Sequence, residues 1–174
     1  MAQAEVFSSW QLEIVGEAVG VAEESVSEFF AFSEGFWLKH PYQLRTGAQL
    51  LPSELTPRAL AQVLKVTAPA RRGELRPRQL YRICVQDHNV LRLLRTEAPQ
   101  LLLPLMIYVL VHELVHVVRF YTFQHLFEAG PRARAREEKI VHAITQEILS
   151  GLKLPWLEKV LRLYKAAGAG VEAW

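Results

Sequence analysis

Residues 101–127 read LLLPLMIYVLVHELVHVVRFYTFQHLF, an apolar and aromatic run interrupted at His112, Glu113 and His116. Two histidines four apart lie on one face of an α-helix, a turn from each other, so both imidazoles reach a common point. Glu113 falls about 100° round from His112. There it can hydrogen-bond a metal-bound water without ligating the metal, the position of a general base. This HExxH spacing points to zinc hydrolase chemistry. The competing account is a core helix whose histidines satisfy internal hydrogen bonds while the glutamate reaches solvent. It must enclose three polar groups in apolar surroundings with no use for them, which is costly. A bound metal offsets that cost.

A site of this class needs three protein ligands and an open position. Position 122 is Thr122, so no third histidine stands six residues after His116. His125 lies about 180° round from His116 and points away if the helix continues that far. The next donors follow the break at Gly130-Pro131, in the stretch from Arg136 to His142. A helix returning over a short loop makes Glu138 the favoured third ligand and Glu137 the competitor. Glu138 shares a face with His142, while Glu137 is rotated about 100° away. From His116 to Phe127 is about 16 Å of helical rise, against about 9 Å from Arg132 to Glu138. The first helix should therefore end early, near Tyr121–Gln124, or the second segment should start extended.

With His112-Glu113-x-x-His116 and a downstream helix carrying Glu138, the chain resembles the gluzincin branch of the zincin metallopeptidases. The resemblance implies His112 and His116 as ligands, Glu113 as catalytic base and Glu138 as third ligand. It places His142 where the family often keeps a carboxylate that buttresses a ligand, so a histidine there is a departure. His142 and Glu137 are also the alternative ligands. The residues before Glu138 lack the asparagine typical of the best-known members. Zincin-like proteins commonly set a short strand or hairpin beside the metal helix.

At 174 residues and 51% apolar, the composition is that of one globular domain, residues 1–174. The single cysteine, Cys84, excludes an internal disulfide framework and reads as a buried small hydrophobe in a reducing compartment. Met1–Val6 lacks the pattern of an export signal, and the uncharged run Leu101–Val111 is too short to span a bilayer, so the expectation is a cytoplasmic protein without a membrane span. Residues 1–38 carry seven glutamates and no Lys or Arg, whereas residues 58–95 carry nine Lys or Arg against Glu74 and Asp87. These are read as two surfaces that complement each other within the fold. No interleaved aromatics or nucleic-acid motif accompany the basic stretch, so nucleic acid is not an expected partner.

Along the chain, Ser8-Ser9 caps a first helix over Trp10–Phe32, with Leu12, Val15, Val19, Val26, Phe29 and Phe30 as its apolar stripe. Gly16 and Gly20 suggest close packing. Phe36–Tyr42 is an aromatic connector, because His40 precedes proline. Thr56-Pro57 opens a second helix running to about Val66. Ala68–Gly73 is a loop. Leu80–Leu94 reads as a hairpin turning at Gln86–Asn89, with two short helices as the alternative. Pro99 starts the central helix, Arg132–Leu149 forms the next until Ser150-Gly151 stops it, and Pro155–Ala167 forms the last before a frayed tail over Gly168–Trp174. The expected fold is mainly α around the HExxH helix, becoming α+β if the one short hairpin forms.

Tyr108 and Arg119 flank the motif on its own face, as candidate substrate or oxyanion contacts beside His125 and His142. For Arg119, pairing with Glu137 is the favoured role, since a bare Arg there would disfavour a dication. The leading functional expectation is a small zinc-dependent peptidase holding one Zn2+ per chain and acting on a peptide or protein substrate. A carboxylate-bridged di-metal helical bundle is the alternative, since Glu113-x-x-His116 is also an ExxH pair, though the chain has no second. A non-catalytic metal-binding interaction module is the third.

Overall fold

Every residue from Pro104 to Arg119 is buried, so the helix that carries the motif is enclosed on all sides. This is α4, Leu102–Tyr121, entered through a 3-10 turn at Pro99–Leu101. Pro104 is its third residue, where a missing N–H costs no helical hydrogen bond. The computed structural model describes residues 5–167. Around α4 are arranged α1 (Ser9–Phe29), α2 (Phe36–Lys39), β1 (Tyr42–Arg45), β2 (Ala61–Ala68), β3 (Arg78–Val85), α3 (Asp87–Thr96), α5 (Pro131–Ser150) and α6 (Leu157–Ala167). The fold is mainly α with one small sheet. By length and composition alone Pro99–Tyr121 could cross a membrane, but 94% of its most apolar window is buried inside the fold.

Ser8 starts α1 as expected, its backbone N–H donating to Gln11 Oε1 at 2.8 Å. The buried face that packs on α4 is Val15, Ala18, Ala22 and Val26, narrower than the expected stripe. Leu12 and Phe29 lie outside it, 42% and 40% exposed. Small side chains let two helix axes approach, and here they are the alanines. A Cβ at Gly16 or Gly20 would meet nothing within 4 Å, so the expected glycine packing does not occur.

The sheet has the order β1-β3-β2, with β1 parallel and β2 antiparallel to β3. Ile83 at its centre pairs with Leu44 on one side and Val63 on the other. A hairpin is thus present, but between β2 and β3. The expected helix from Thr56 to Val66 is a strand over most of that range. Three of the five residues in Val63-Leu64-Lys65-Val66-Thr67 are β-branched, which suits a strand better than a helix.

The expected hairpin over Leu80–Leu94 is half strand and half helix, β3 followed directly by α3. The polar cluster between them looked like a turn because its side chains bond backbone, but the backbone they bond is distant. Gln86 Oε1 accepts from Thr56 N at 3.0 Å, and Gln86 Nε2 donates to Glu54 O at 2.9 Å. Asn89 Nδ2 donates to the carbonyls of Thr56 and Ala59. The Thr56-Pro57 segment is thereby held as the extended approach to β2. Asp87 accepts from Phe7 N at 2.9 Å and from Gly47 N at 2.7 Å, tying the chain start and the turn after β1 to the head of α3. Gly47 is required there, because a Cβ would lie 2.9 Å from Asp87 Cγ.

Asp87→Ala strands two backbone donors, and we expect it to lower the unfolding free energy in a urea titration by about 2–4 kcal/mol. A loss below about 0.5 kcal/mol would mean that water replaces the carboxylate.

Candidate metal centre

The site depends on where α4 stops. Phe123 adopts a left-handed conformation, φ 55°. Phe123 N donates to Phe120 O at 3.2 Å and Gln124 N to Arg119 O at 2.9 Å, the bond pattern of a Schellman helix end with Phe in the usual glycine position. The helix therefore ends at Tyr121, within the range that the rise mismatch requires. α5 then returns antiparallel, as its contacts show: Arg119 meets Glu137, His116 and His112 meet Glu138, and Tyr108 meets His142.

Glu138 is the residue that arrives between the histidines. Its Oε2 is 3.3 Å from His112 Nε2 and its Oε1 is 3.1 Å from His116 Nε2. Zinc bonds of about 2.0–2.1 Å at tetrahedral angles set adjacent donors about 3.3 Å apart. The two separations, each to a different carboxylate oxygen, are close to that edge. Glu138 Oε2 is buried, with His112 Nε2 as its neighbour at 3.3 Å. His112, His116 and Glu138 form the one such His/Cys/Asp/Glu group among the described residues, their donor atoms all within 4.8 Å. Two imidazoles and a carboxylate are zinc donors by type, so the residues fit the ion.

The electrostatics follow from enclosure. Burial pushes the His112 imidazole down to about 4, so near neutrality it presents a lone pair. Burial also acts to lower His116, but the Glu138 carboxylate outweighs it and holds His116 above the ordinary histidine value. Burial acts to raise Glu138, and the two histidines overcome it, holding that carboxyl well below the usual range. Glu113, only 3% exposed, is pushed up by burial to about 7. A dication here would face the Glu113 and Glu138 carboxylates, with Arg119 engaged by Glu137.

The Glu138 side chain is 42% exposed, which leaves one side of the group open. The opening is a cleft floored by Glu113, His116 and Phe120 of α4. Across it stands β2, with Ala61, Gln62 and Val63. His125, Phe127 and Arg134 close the end nearest the α4–α5 turn. β2 is hydrogen-bonded on one side only, to β3, so an unpaired strand edge runs beside the site.

The other expected residues are placed as follows. Glu137 forms a two-pronged ion pair with Arg119, Arg119 Nη2 donating to Glu137 Oε2 at 2.9 Å. Tyr108 is fully buried, its hydroxyl 2.8 Å from His142 Nδ1 and its ring stacked on Tyr164 at 4.5 Å. Neither Tyr108, His142 nor Arg119 lines the cleft. Asp87 is bound to backbone elsewhere and takes no part.

Sequence reasoning missed Phe120, Phe127 and Arg134, and the approach of β2. His125 would point away only from a continuing helix; because α4 ends at Tyr121, it lines the cleft, as its candidacy for a substrate or oxyanion contact requires, with Nδ1 3.7 Å from Glu137 Oε2. The cleft wall is an aromatic cluster in which Tyr81 stacks on Phe120 at 5.2 Å and Phe127 lies 5.4 Å from Phe120. The one sequence signal for it was the recurrence of Phe120, Tyr121, Phe123 and Phe127 across the helix end.

Comparison with protein-family profiles, with curated proteins and with solved structures finds no match to this chain.

The raised Glu113 carboxyl has a measurable consequence in the metal-free protein. Its value rises from 4.5 unfolded to about 7 folded, so its contribution is fully present below pH 4.5 and is lost as pH climbs through about 7. The stability of Glu113→Gln relative to wild type should therefore climb across that window by about 3 kcal/mol. A difference that stays flat with pH would show that Glu113 is not desolvated.

Proposed function

We propose that this protein is a zinc-dependent peptidase in which His112, His116 and Glu138 hold one Zn2+ and Glu113 is the general base. The observation that carries the reading is the grouping of His112, His116 and Glu138, with Glu113, His116 and Glu138 lining an open cleft beside an unpaired strand edge and His112 buried behind them. Zinc in a three-ligand site supplies Lewis acidity, acidifying water to a pKa of about 7 and polarising a carbonyl.

The protein's own groups do the rest. An extended peptide adds to the free edge of β2 through backbone hydrogen bonds near Ala61–Val63, which sets its scissile carbonyl across the cleft from Glu113. Glu113 takes a proton from water as the water oxygen bonds to the carbonyl carbon. Glu113 then delivers it to the amide nitrogen as the C–N bond breaks, so the base ends as it began. Phe120 and Phe127 give the cleft an apolar wall for a substrate side chain. His125 and Arg134 are the polar groups at its end.

The di-metal alternative needs a second set of carboxylate and histidine donors, and Glu137 is committed to Arg119. In the non-catalytic alternative the metal would be retained while Glu113 was dispensable.

Purified protein should carry about one zinc per chain by elemental analysis, and the His112→Ala/His116→Ala variant close to none. Glu113→Gln should keep its zinc and lose cleavage of a peptide library, read by mass spectrometry, by about 10²–10⁴-fold. Zinc lost from Glu113→Gln would make Glu113 a ligand and overturn the assignment of roles.

A further inference from the structure

We infer that Arg119 and Glu137 form the positioning pair that brings Glu138 to the metal, and so set the affinity of the site. This rests on the reading of His112, His116 and Glu138 as ligands, but it concerns two residues that are not among those ligands: Arg119 lies behind the cleft, and Glu137 lines it with its carboxylate engaged by Arg119.

Two of the three donors sit on one helix at fixed spacing and need no outside help. The third must be carried in by α5, with the correct rise and the correct rotation. Among α5 residues before Val141, Glu137 alone is buried. Residues 131–136 are exposed or partly so, and no apolar side chain locks the first two turns of α5 onto α4. Apart from the contacts of Glu138 itself, what ties them to α4 is the ion pair. Glu137 is 3% and Arg119 9% exposed, and two parallel N–H···O bonds join them. A two-pronged contact between planar groups fixes direction as well as distance. Since adjacent residues differ by about 100°, anchoring Glu137 against Arg119 turns Glu138 towards the histidines. It also occupies the carboxylate best placed to compete with Glu138.

The same arginine ends α4. Its carbonyl accepts from Gln124 N at 2.9 Å and His125 N at 3.3 Å, and its Nη1 donates to Gln124 Oε1 at 2.7 Å. The left-handed Phe123 costs about 1–2 kcal/mol, so the turn needs such bonds to persist. Arg119 therefore controls both the point where the chain leaves α4 and the point where α5 is caught. Stability is not a sufficient reason for the pair, since buried ion pairs are often no better than apolar substitutes. Register is what an apolar substitute would not supply.

The test is zinc affinity, read by competition with a chromophoric chelator, beside urea unfolding of the metal-free forms. Glu137→Gln and Arg119→Met/Glu137→Leu are compared with wild type. The double variant replaces the pair by apolar groups, so it keeps the fold even where a single change strands a charge. We expect both to bind zinc about 10–100-fold more weakly, the double variant at undiminished metal-free stability. Wild-type affinity in the double variant would overturn the inference and leave the metal reading standing. A wild-type protein that binds no zinc would overturn both.

Discussion

The constraint on which the rest of the structure depends is the enclosure of α4. A helix buried from Pro104 to Arg119 has no solvent face for polar groups, yet it carries His112, Glu113 and His116 within one and a half turns. Leaving them bare would cost several kcal/mol. Their pKa values register the strain in charge terms, with His112 pushed down to about 4 and Glu113 up to about 7 by burial. The surrounding elements resolve it in one direction. α5 brings a carboxylate to both imidazoles, and a cleft remains between β2 and α4, with Glu113 in its lining and Glu138 part-exposed at its opening.

That resolution rests on irregularity. An α4 that ran straight on would carry the chain past the level of the histidines before α5 could turn back. The early stop at Tyr121 is made by Phe123 in a left-handed conformation and by the bonds of Arg119, with neither glycine nor proline at the turn itself. The segment after it then folds onto the sheet. Phe127 packs with Tyr81 and Phe120, and Glu128 pairs with Lys65 at 2.7 Å on β2. One turn thus positions the third donor and builds the cleft wall.

These particulars explain how far the sequence could be read. α1, α4, α5 and α6 were legible because Ser8, Pro99, Gly130-Pro131 and Ser150-Gly151 punctuate them by local chemistry. The motif and Glu138 were legible because helical spacing fixes which residues share a face. β2 was not, since Thr56-Pro57 carries a genuine helix-start signal. Tertiary bonds from Gln86 and Asn89 override it by holding that segment extended. Gln86–Asn89 misread as a turn for the same reason: residues that bond backbone look alike whether the backbone is near or thirty residues away. The exact helix end, and with it the side to which His125 turns, was left open because a Phe in a glycine position leaves no mark. The acidic stretch 1–38 and the basic stretch 58–95 meet among the described residues through Glu5–Arg95, an exposed pair at 2.5 Å, so their complementarity is largely not one of direct contact.

The account stands or falls on which side chains meet at the base of the cleft. A crystal structure of the protein soaked with zinc, with anomalous scattering at the zinc edge, measures that directly. The result predicted is a single ion bound by Nε2 of His112, Nε2 of His116 and a Glu138 oxygen, with Glu113 beside it and not bound. Zinc held by Glu137 or His142 in place of Glu138, or no ion between the two histidines, would contradict it.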